Sequence, residues 1–166
     1  MKKRFTGNHV IITGGSGGIG SALVIGFLCE GAKVLILGTK REKLRKKQKE
    51  FREISSRVEA RVADVSDRKQ VKKIGVYIKN KFGGRVDVLV NAAGIYGPIG
   101  KLEEVDLELW ERTIQVNLLG TVNMCALVIP FMKKRNYGKI INFSGGGDGA
   151  FPRFTARELG ERTYQR

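Results

Sequence analysis

Thr13-Gly14-Gly15-Ser16-Gly17-Gly18-Ile19-Gly20 is the stretch that decides the fold. It follows the apolar run His9-Val-Ile-Ile-Thr13, which reads as a short buried strand, and it opens a helix from Ile19 to Glu30. Each glycine removes a Cβ where the backbone must turn tightly or approach a ligand. The helix start then offers free N–H groups and a partial positive charge to a pyrophosphate. A glycine-rich string alone says little. Its position between a strand and a helix makes it a candidate nucleotide-binding turn.

Outward from this turn, strands and helices alternate, which predicts a parallel sheet with covering helices. Gly31 ends the first helix, and Lys33-Val-Leu-Ile-Leu37 is the second strand. A very basic helix runs from Lys40 to about Ser55, and the third strand from Val58 to Ala63. Asp67 caps the next helix, with Gln70 at capping-box spacing and Val71, Ile74, Ile78 and Phe82 on one face. Val86 to Val90 is the fourth strand. A glycine and proline loop follows, and then Asp106 caps a long helix from Leu107 to about Met132. Lys139-Ile-Ile-Asn-Phe143 is the fifth strand.

Composition bounds the function classes. The 166 residues suit one domain, and 42% hydrophobic with 28% charged residues reads as globular. The net charge of +15 favours acidic ligands or anionic surfaces without naming one. The two cysteines, Cys29 and Cys125, form no disulfide framework and read as small buried thiols in a reducing, cytoplasmic setting. No long apolar segment follows Lys2, Lys3 and Arg4, so no signal peptide is read. The longest apolar stretch, Cys125 to Met132, contains Pro130 and is too short for a membrane span. A single histidine, His9, argues against a metal centre and reads as structural.

The spacing Thr-Gly-x-x-x-Gly-x-Gly resembles the short-chain dehydrogenase/reductase family rather than the commoner Gly-x-Gly-x-x-Gly pattern. Three further segments agree: Asp64-Val65 after strand three, Asn91-Ala92-Ala93-Gly94 after strand four, and Asn117 within Gln115-Val116-Asn117-Leu118-Leu119-Gly120. The resemblance covers about Lys3 to Ala156. It implies a Rossmann-like, doubly wound α/β domain over 3–156, with five parallel strands in the order 3-2-1-4-5 and the C-terminal strands missing. It also implies a nicotinamide dinucleotide as partner, held by Thr13, Gly14, Ser16, Gly18, Ile19, Gly20, Asp64, Val65, Asn91, Ala92, Ala93 and Gly94. The substrate would be a small carbonyl or alcohol. Each residue also has a plain structural reading: Asp64 as a turn starter, Asn91 as a strand end. Asn117 costs helix propensity amid apolar flanks, and in the family that asparagine supports a relay toward a catalytic lysine.

The end of strand two chooses between cofactors. A carboxylate there would accept hydrogen bonds from a ribose 2′-OH and repel a 2′-phosphate. Gly38 occupies that position, followed by Thr39, Lys40 and Arg41, so the reading favours NADP(H) over NAD(H).

The family's proton transfer needs a serine and a tyrosine followed four residues later by a lysine. Ser144 is a candidate serine, although the usual position falls on Gly145. Phe151-Pro152-Arg153-Phe154-Thr155-Ala156 leads up to the tyrosine position, where Arg157 stands, and Glu161 replaces the lysine. Tyr77 and Lys81 have the bare spacing but sit on another helix, read as a solvated face. The tail 157–166 loses apolar periodicity, which suggests a truncated or frame-altered product with impaired catalysis. Strand five would then be an exposed edge and the helix 107–132 would keep an uncovered apolar face, predicting self-association.

Two other classes compete. A non-catalytic dinucleotide-binding module needs the glycines but no tyrosine. Nucleic-acid binding could use the basic residues over 40–52, but only Phe51 is interleaved and no recognised motif is present, so this reading is disfavoured.

Overall fold

A computed structural model describes residues 3–143. The strands are β1 (His9–Thr13), β2 (Lys33–Gly38), β3 (Val58–Val62), β4 (Val88–Asn91) and β5 (Lys139–Asn142). They form one parallel sheet in the order β3-β2-β1-β4-β5, as expected. Between them run α1 (Gly18–Cys29), α2 (Arg41–Ile54) and α3 (Arg68–Phe82). The last crossover carries α4 (Leu107–Ile114), a π-helical segment (Gln115–Leu119) and α5 (Gly120–Lys133).

Strand alternation divides the core into two layers. Val10, Ile12, Val34, Ile36, Val88 and Val90 face one way, onto Val24 and Leu28 of α1 and Leu44 and Phe51 of α2. Ile11, Leu35, Leu37 and Leu89 face the other way, onto Val71, Ile74 and Ile78 of α3 and Met124 and Val128 of α5. Both faces of the central strands are therefore buried, which explains their continuous apolar runs.

Several local expectations need correction. Cys29 is exposed, because the buried stripe of α1 is Gly20, Val24 and Leu28, and the next residue turns away. Asp67 does cap α3, accepting from the Lys69 and Gln70 amides at 2.8 and 3.2 Å. Gln70 does not complete a capping box, because the Asp67 N–H already donates to the Asp64 carbonyl. Its side chain instead accepts from Asp64 N at 3.0 Å and donates to Asp67 Oδ2 at 2.9 Å. Tyr77 is half-buried rather than solvated: it packs against the core with the Arg61 guanidinium 4.2 Å from its ring centroid.

The helical stretch Leu107–Lys133 runs for 27 residues, with a mean hydropathy of 1.6 over its most apolar window. It is long and apolar enough to cross a bilayer by length and composition, which the apolar run Cys125–Met132 did not suggest, because Asn117 and Thr121 lie within the same helix. Val116, Met124, Val128 and Met132 are buried in the core shared with α3 and the sheet, the packing of a covering helix.

β5 is the outer strand of the described sheet. Ile141 is 42% and the following Phe143 40% exposed. Leu109, Leu119, Val122 and Ile129 are exposed along the long helix.

Candidate functional site

The carboxyl ends of β1, β2 and β4 converge where the chain order reverses, between β1 and β4. In open parallel sheets this is where a crevice forms. Gly14 turns the chain out of β1 with φ of +65°, and a Cβ there would lie 2.6 Å from the Ala92 carbonyl oxygen. The Gly17 amide closes the turn on the Gly14 carbonyl at 2.8 Å. A Cβ on Gly20 would collide with that same carbonyl. These glycines let the turn, α1 and the β4 loop approach one another.

Gly18 differs from them. A Cβ there would meet no atom within 4 Å beyond its own helix turn, and no side chain caps α1 at Gly17. The first turn of α1 thus presents its amides and the positive end of its dipole to open space. An anion of pyrophosphate type fits this place.

Two adjoining clefts, of about 370 and 290 Å³, form one trough over the strand ends. Gly14, Gly18, Ile19, Gly20, Asn91, Ala92, Ala93, Gly94 and Asn117 line the first. Ser16, Thr39, Lys40, Asp64 and Val65 line the second, with Gly14 and Ala92–Gly94 shared. The cofactor residues read from sequence thus fall on one surface, with two exceptions. Thr13 is buried, and its hydroxyl accepts from Ala93 N at 3.0 Å, tying β1 to the β4 loop. Arg41 is exposed and does not line the trough, whereas Lys43 does, because it lies one helical turn beyond Lys40. That i, i+3 spacing was the available signal. Ser144 lies outside the described residues.

Asn91 is buried at the near end. Its Nδ2 donates to Asn142 Oδ1 at 2.9 Å, and its Oδ1 has no partner among the described residues. Cys125 lies beside it; burial pushes its thiol pKa up, against a weak hydrogen bond from Asn91. Asn117 in the π segment exchanges two hydrogen bonds with the Ile95 backbone.

At the far end Asp64 meets Arg112, a residue the sequence reading did not single out. Burial raises the Asp64 pKa. Hydrogen bonds from Ser66, then the Arg112 guanidinium, outweigh that and hold the carboxyl below its ordinary value. His9 lies away from the trough, packed on Phe82 with ring centroids 4.6 Å apart, as a structural residue. No cluster of metal-binding side chains occurs among the described residues.

The profile of the short chain dehydrogenase family matches residues 8–156. The 3-oxoacyl-(acyl-carrier-protein) reductase FabG of Thermotoga maritima is 37% identical over 143 residues, covering 85% of this chain and 56% of the relative. The 3-ketodihydrosphingosine reductase of Bos taurus is 35% identical over 140 residues, covering 81% of this chain and 42% of the relative. The chain thus spans about half the length of the curated relatives it matches. Among solved structures, NAD⁺-bound xylitol dehydrogenase superposes with a TM-score of 0.90 at 27% identity, covering 96% of this chain and 62% of that one. A variant of actinorhodin polyketide ketoreductase with NADPH superposes at 0.87 and 28%, covering 93% and 60%. With the glycine turn, the switch-point trough and the two asparagines already in place, these likenesses establish that the chain belongs to the short chain dehydrogenase family.

Proposed function

We propose that this chain binds a nicotinamide dinucleotide along the trough, NADP(H) in preference to NAD(H), and that the protein is an oxidoreductase acting on a small carbonyl or alcohol. The observation that carries the reading is the uncapped start of α1 at Gly18, open to a trough whose far end offers Lys40 and Lys43. When bound, the dinucleotide supplies the hydride donor or acceptor. The amides of Gly18, Ile19 and Gly20 would hold its diphosphate. Asp64 and Val65 would flank the adenine, and Thr39, Lys40 and Lys43 a 2′-phosphate. Asn91 to Gly94 and Asn117 would border the nicotinamide side. Solved relatives with NAD⁺ and with NADPH both share the fold, so the preference rests on the residues after β2.

Proton transfer is the step this chain lacks the groups for. Arg157 and Glu161 stand where the family's tyrosine and lysine fall, leaving Ser144 and Asn117 as remnants of the catalytic set. We therefore expect binding without efficient turnover, so the chain acts as a dinucleotide-binding module. Calorimetric titration with NADPH and NADH, paired with a turnover assay, tests both parts. NADPH should bind about tenfold tighter than NADH, from the added charge-assisted contacts. Absence of binding by either coenzyme refutes the assignment, and brisk alcohol oxidation refutes the impairment.

The exposed edge of β5 and the apolar side chains beside it support self-association. Size-exclusion chromatography of a stable monomer would count against it. The two free thiols agree with a reducing, cytoplasmic setting.

A further inference from the structure

The sheet edge opposite β5 is strongly cationic. Residues 40–82 carry sixteen Lys and Arg against six Asp and Glu, which accounts for ten of the chain's fifteen net positive charges. β3 is the outer strand there. α2 packs on one face of it through Leu44 and Phe51, and α3 lies on the other, where the Arg61 guanidinium rests on the Tyr77 ring. The charges therefore gather around one end of the sheet instead of spreading over the whole surface. On α2, Arg45, Lys49 and Arg52 are exposed at helical spacing. On α3, Lys69, Lys72, Lys73 and Lys79 form an exposed stripe, and the helix itself contains no acidic residue. Arg68 and Lys69 stand in its first turn, where the helix dipole disfavours cations. Of the sixteen, only Lys47 makes an ion pair with another described residue, Glu50.

We infer that this edge is a docking surface for an anionic lipid bilayer. The surface is separate from the dinucleotide trough and does not depend on it. Three aliphatic side chains stand exposed among the cations, one on each element. They are Ile54 at the end of α2, Val62 at the end of β3 and Val76 on α3, the last 58% exposed. Cations interspersed with aliphatic groups suit the level where charged headgroups meet acyl chains. Each Lys or Arg held near such a surface strengthens binding roughly fivefold. The phosphates of a nucleic acid would meet the same cations but would leave the aliphatic groups in water. Its unpaired bases would need exposed aromatic rings to stack on. Phe51 and Phe82 are buried, and Tyr77 is half-buried against Arg61. The main apolar faces of α2 and α3 lie in the core, so the attachment is peripheral and governed by charge.

Flotation of the full chain with lipid vesicles tests this, because a self-associated chain sinks while a bound one rises. Vesicles of phosphatidylcholine with an equal share of phosphatidylserine should carry the chain upward, and vesicles of phosphatidylcholine alone should not. Raising the salt from about 0.1 M to about 1 M shortens the screening length from roughly 10 Å to 3 Å and should release the chain. Lys69→Ala, Lys72→Ala and Lys73→Ala combined should lower partitioning about a hundredfold. Lys133, Lys134 and Arg135 are also exposed, just before β5 on the other side of the sheet. Replacing those three by alanine removes the same charge and should change partitioning less than about twofold. Should the α3 variant fail to fold by circular dichroism, Arg45→Gln, Lys49→Gln and Arg52→Gln combined on α2 carry the test. Equal flotation with neutral vesicles, or equal losses from the α3 and Lys133–Arg135 variants, overturns the inference. Binding of duplex DNA without binding of the anionic vesicles overturns it too and reassigns the edge to nucleic acid.

Discussion

Asn117 and Ile95 hold each other across the floor of the trough. Ile95 N donates to Asn117 Oδ1 at 3.0 Å, and Asn117 Nδ2 donates to the Ile95 carbonyl at 3.1 Å. Asn117 lies in the π-helical segment Gln115–Leu119, and its own carbonyl accepts from the Thr121 hydroxyl at 2.8 Å. The loop after β4 and the long helix are thereby joined through a single amide side chain. Asn117→Ala removes both bonds and leaves the Ile95 backbone groups without them. We expect a loss of about 2–3 kcal/mol in urea denaturation. A change below about 0.5 kcal/mol would mean the amide pair holds nothing that water cannot.

Two glycines of the same turn should respond in opposite ways. Gly20→Ala drives a Cβ into the Gly14 carbonyl, so the turn must open and stability should fall by several kcal/mol, on the order of 2–4. Gly18→Ala meets open space at the start of α1, and the gain in helix propensity should stabilise the chain by up to about 1 kcal/mol. Its methyl group nevertheless projects where the diphosphate would lie, so coenzyme affinity should drop at least about tenfold. Thermal melts with coenzyme titrations separate the two effects. Unchanged affinity in the Gly18→Ala variant would place the ligand elsewhere.

The cofactor preference should invert at Gly38. Its Cβ position has ordinary contacts only, 3.5 Å from Leu44 Cδ2, so a side chain can start from Gly38 without a clash at Cβ. In Gly38→Asp the new carboxylate would accept from a ribose 2′-OH and repel a 2′-phosphate. We expect NADPH affinity to fall by about tenfold and NADH affinity to rise by a comparable factor. Competition between the two coenzymes in one calorimetric series reads this directly; parallel losses for both would refute it.

Acid should weaken the fold through His9, the one histidine in the chain. Burial lowers its pKa, and the charges of Lys33 and Arg85 add to that against the opposing Arg85 carbonyl and Asp87. The folded state therefore protonates His9 at lower pH than the unfolded state does. Its contribution is fully present above the unfolded value of 6.5 and is lost as pH falls through the folded value. Urea midpoints should decline from about pH 7.5 to about 5.5, and His9→Gln should flatten that slope. An equal slope in the variant would assign the acid sensitivity to other groups.

Much of this architecture is written in local pattern. The apolar runs at His9–Thr13 and Lys33–Leu37 announce strands because side chains buried on both sheet faces must all be apolar. Asp67 and Asp106 mark helix starts because their carboxylates satisfy orphan amides a few residues away. The family resemblance assigned the glycine turn, Asp64 and Asn91 to Gly94 to one cofactor surface, and they do line one trough, because parallel strands end together.

What remained hidden depends on partners far apart in the chain. Nothing near Arg112 in sequence names Asp64, and nothing near Asn117 names Ile95. Whether Lys43 or Arg41 faces the trough, and whether Cys29 is covered, follows from the rotation of a packed helix about its axis. Sequence alone determined which elements form, because periodicity and turn chemistry act over a few residues, while the order in which the sheet assembles was implied by the family resemblance of its motifs. Only the tertiary structure decided which polar side chains meet, because hydrogen bonds need donors and acceptors within about 3 Å, and only packing brings distant segments that close.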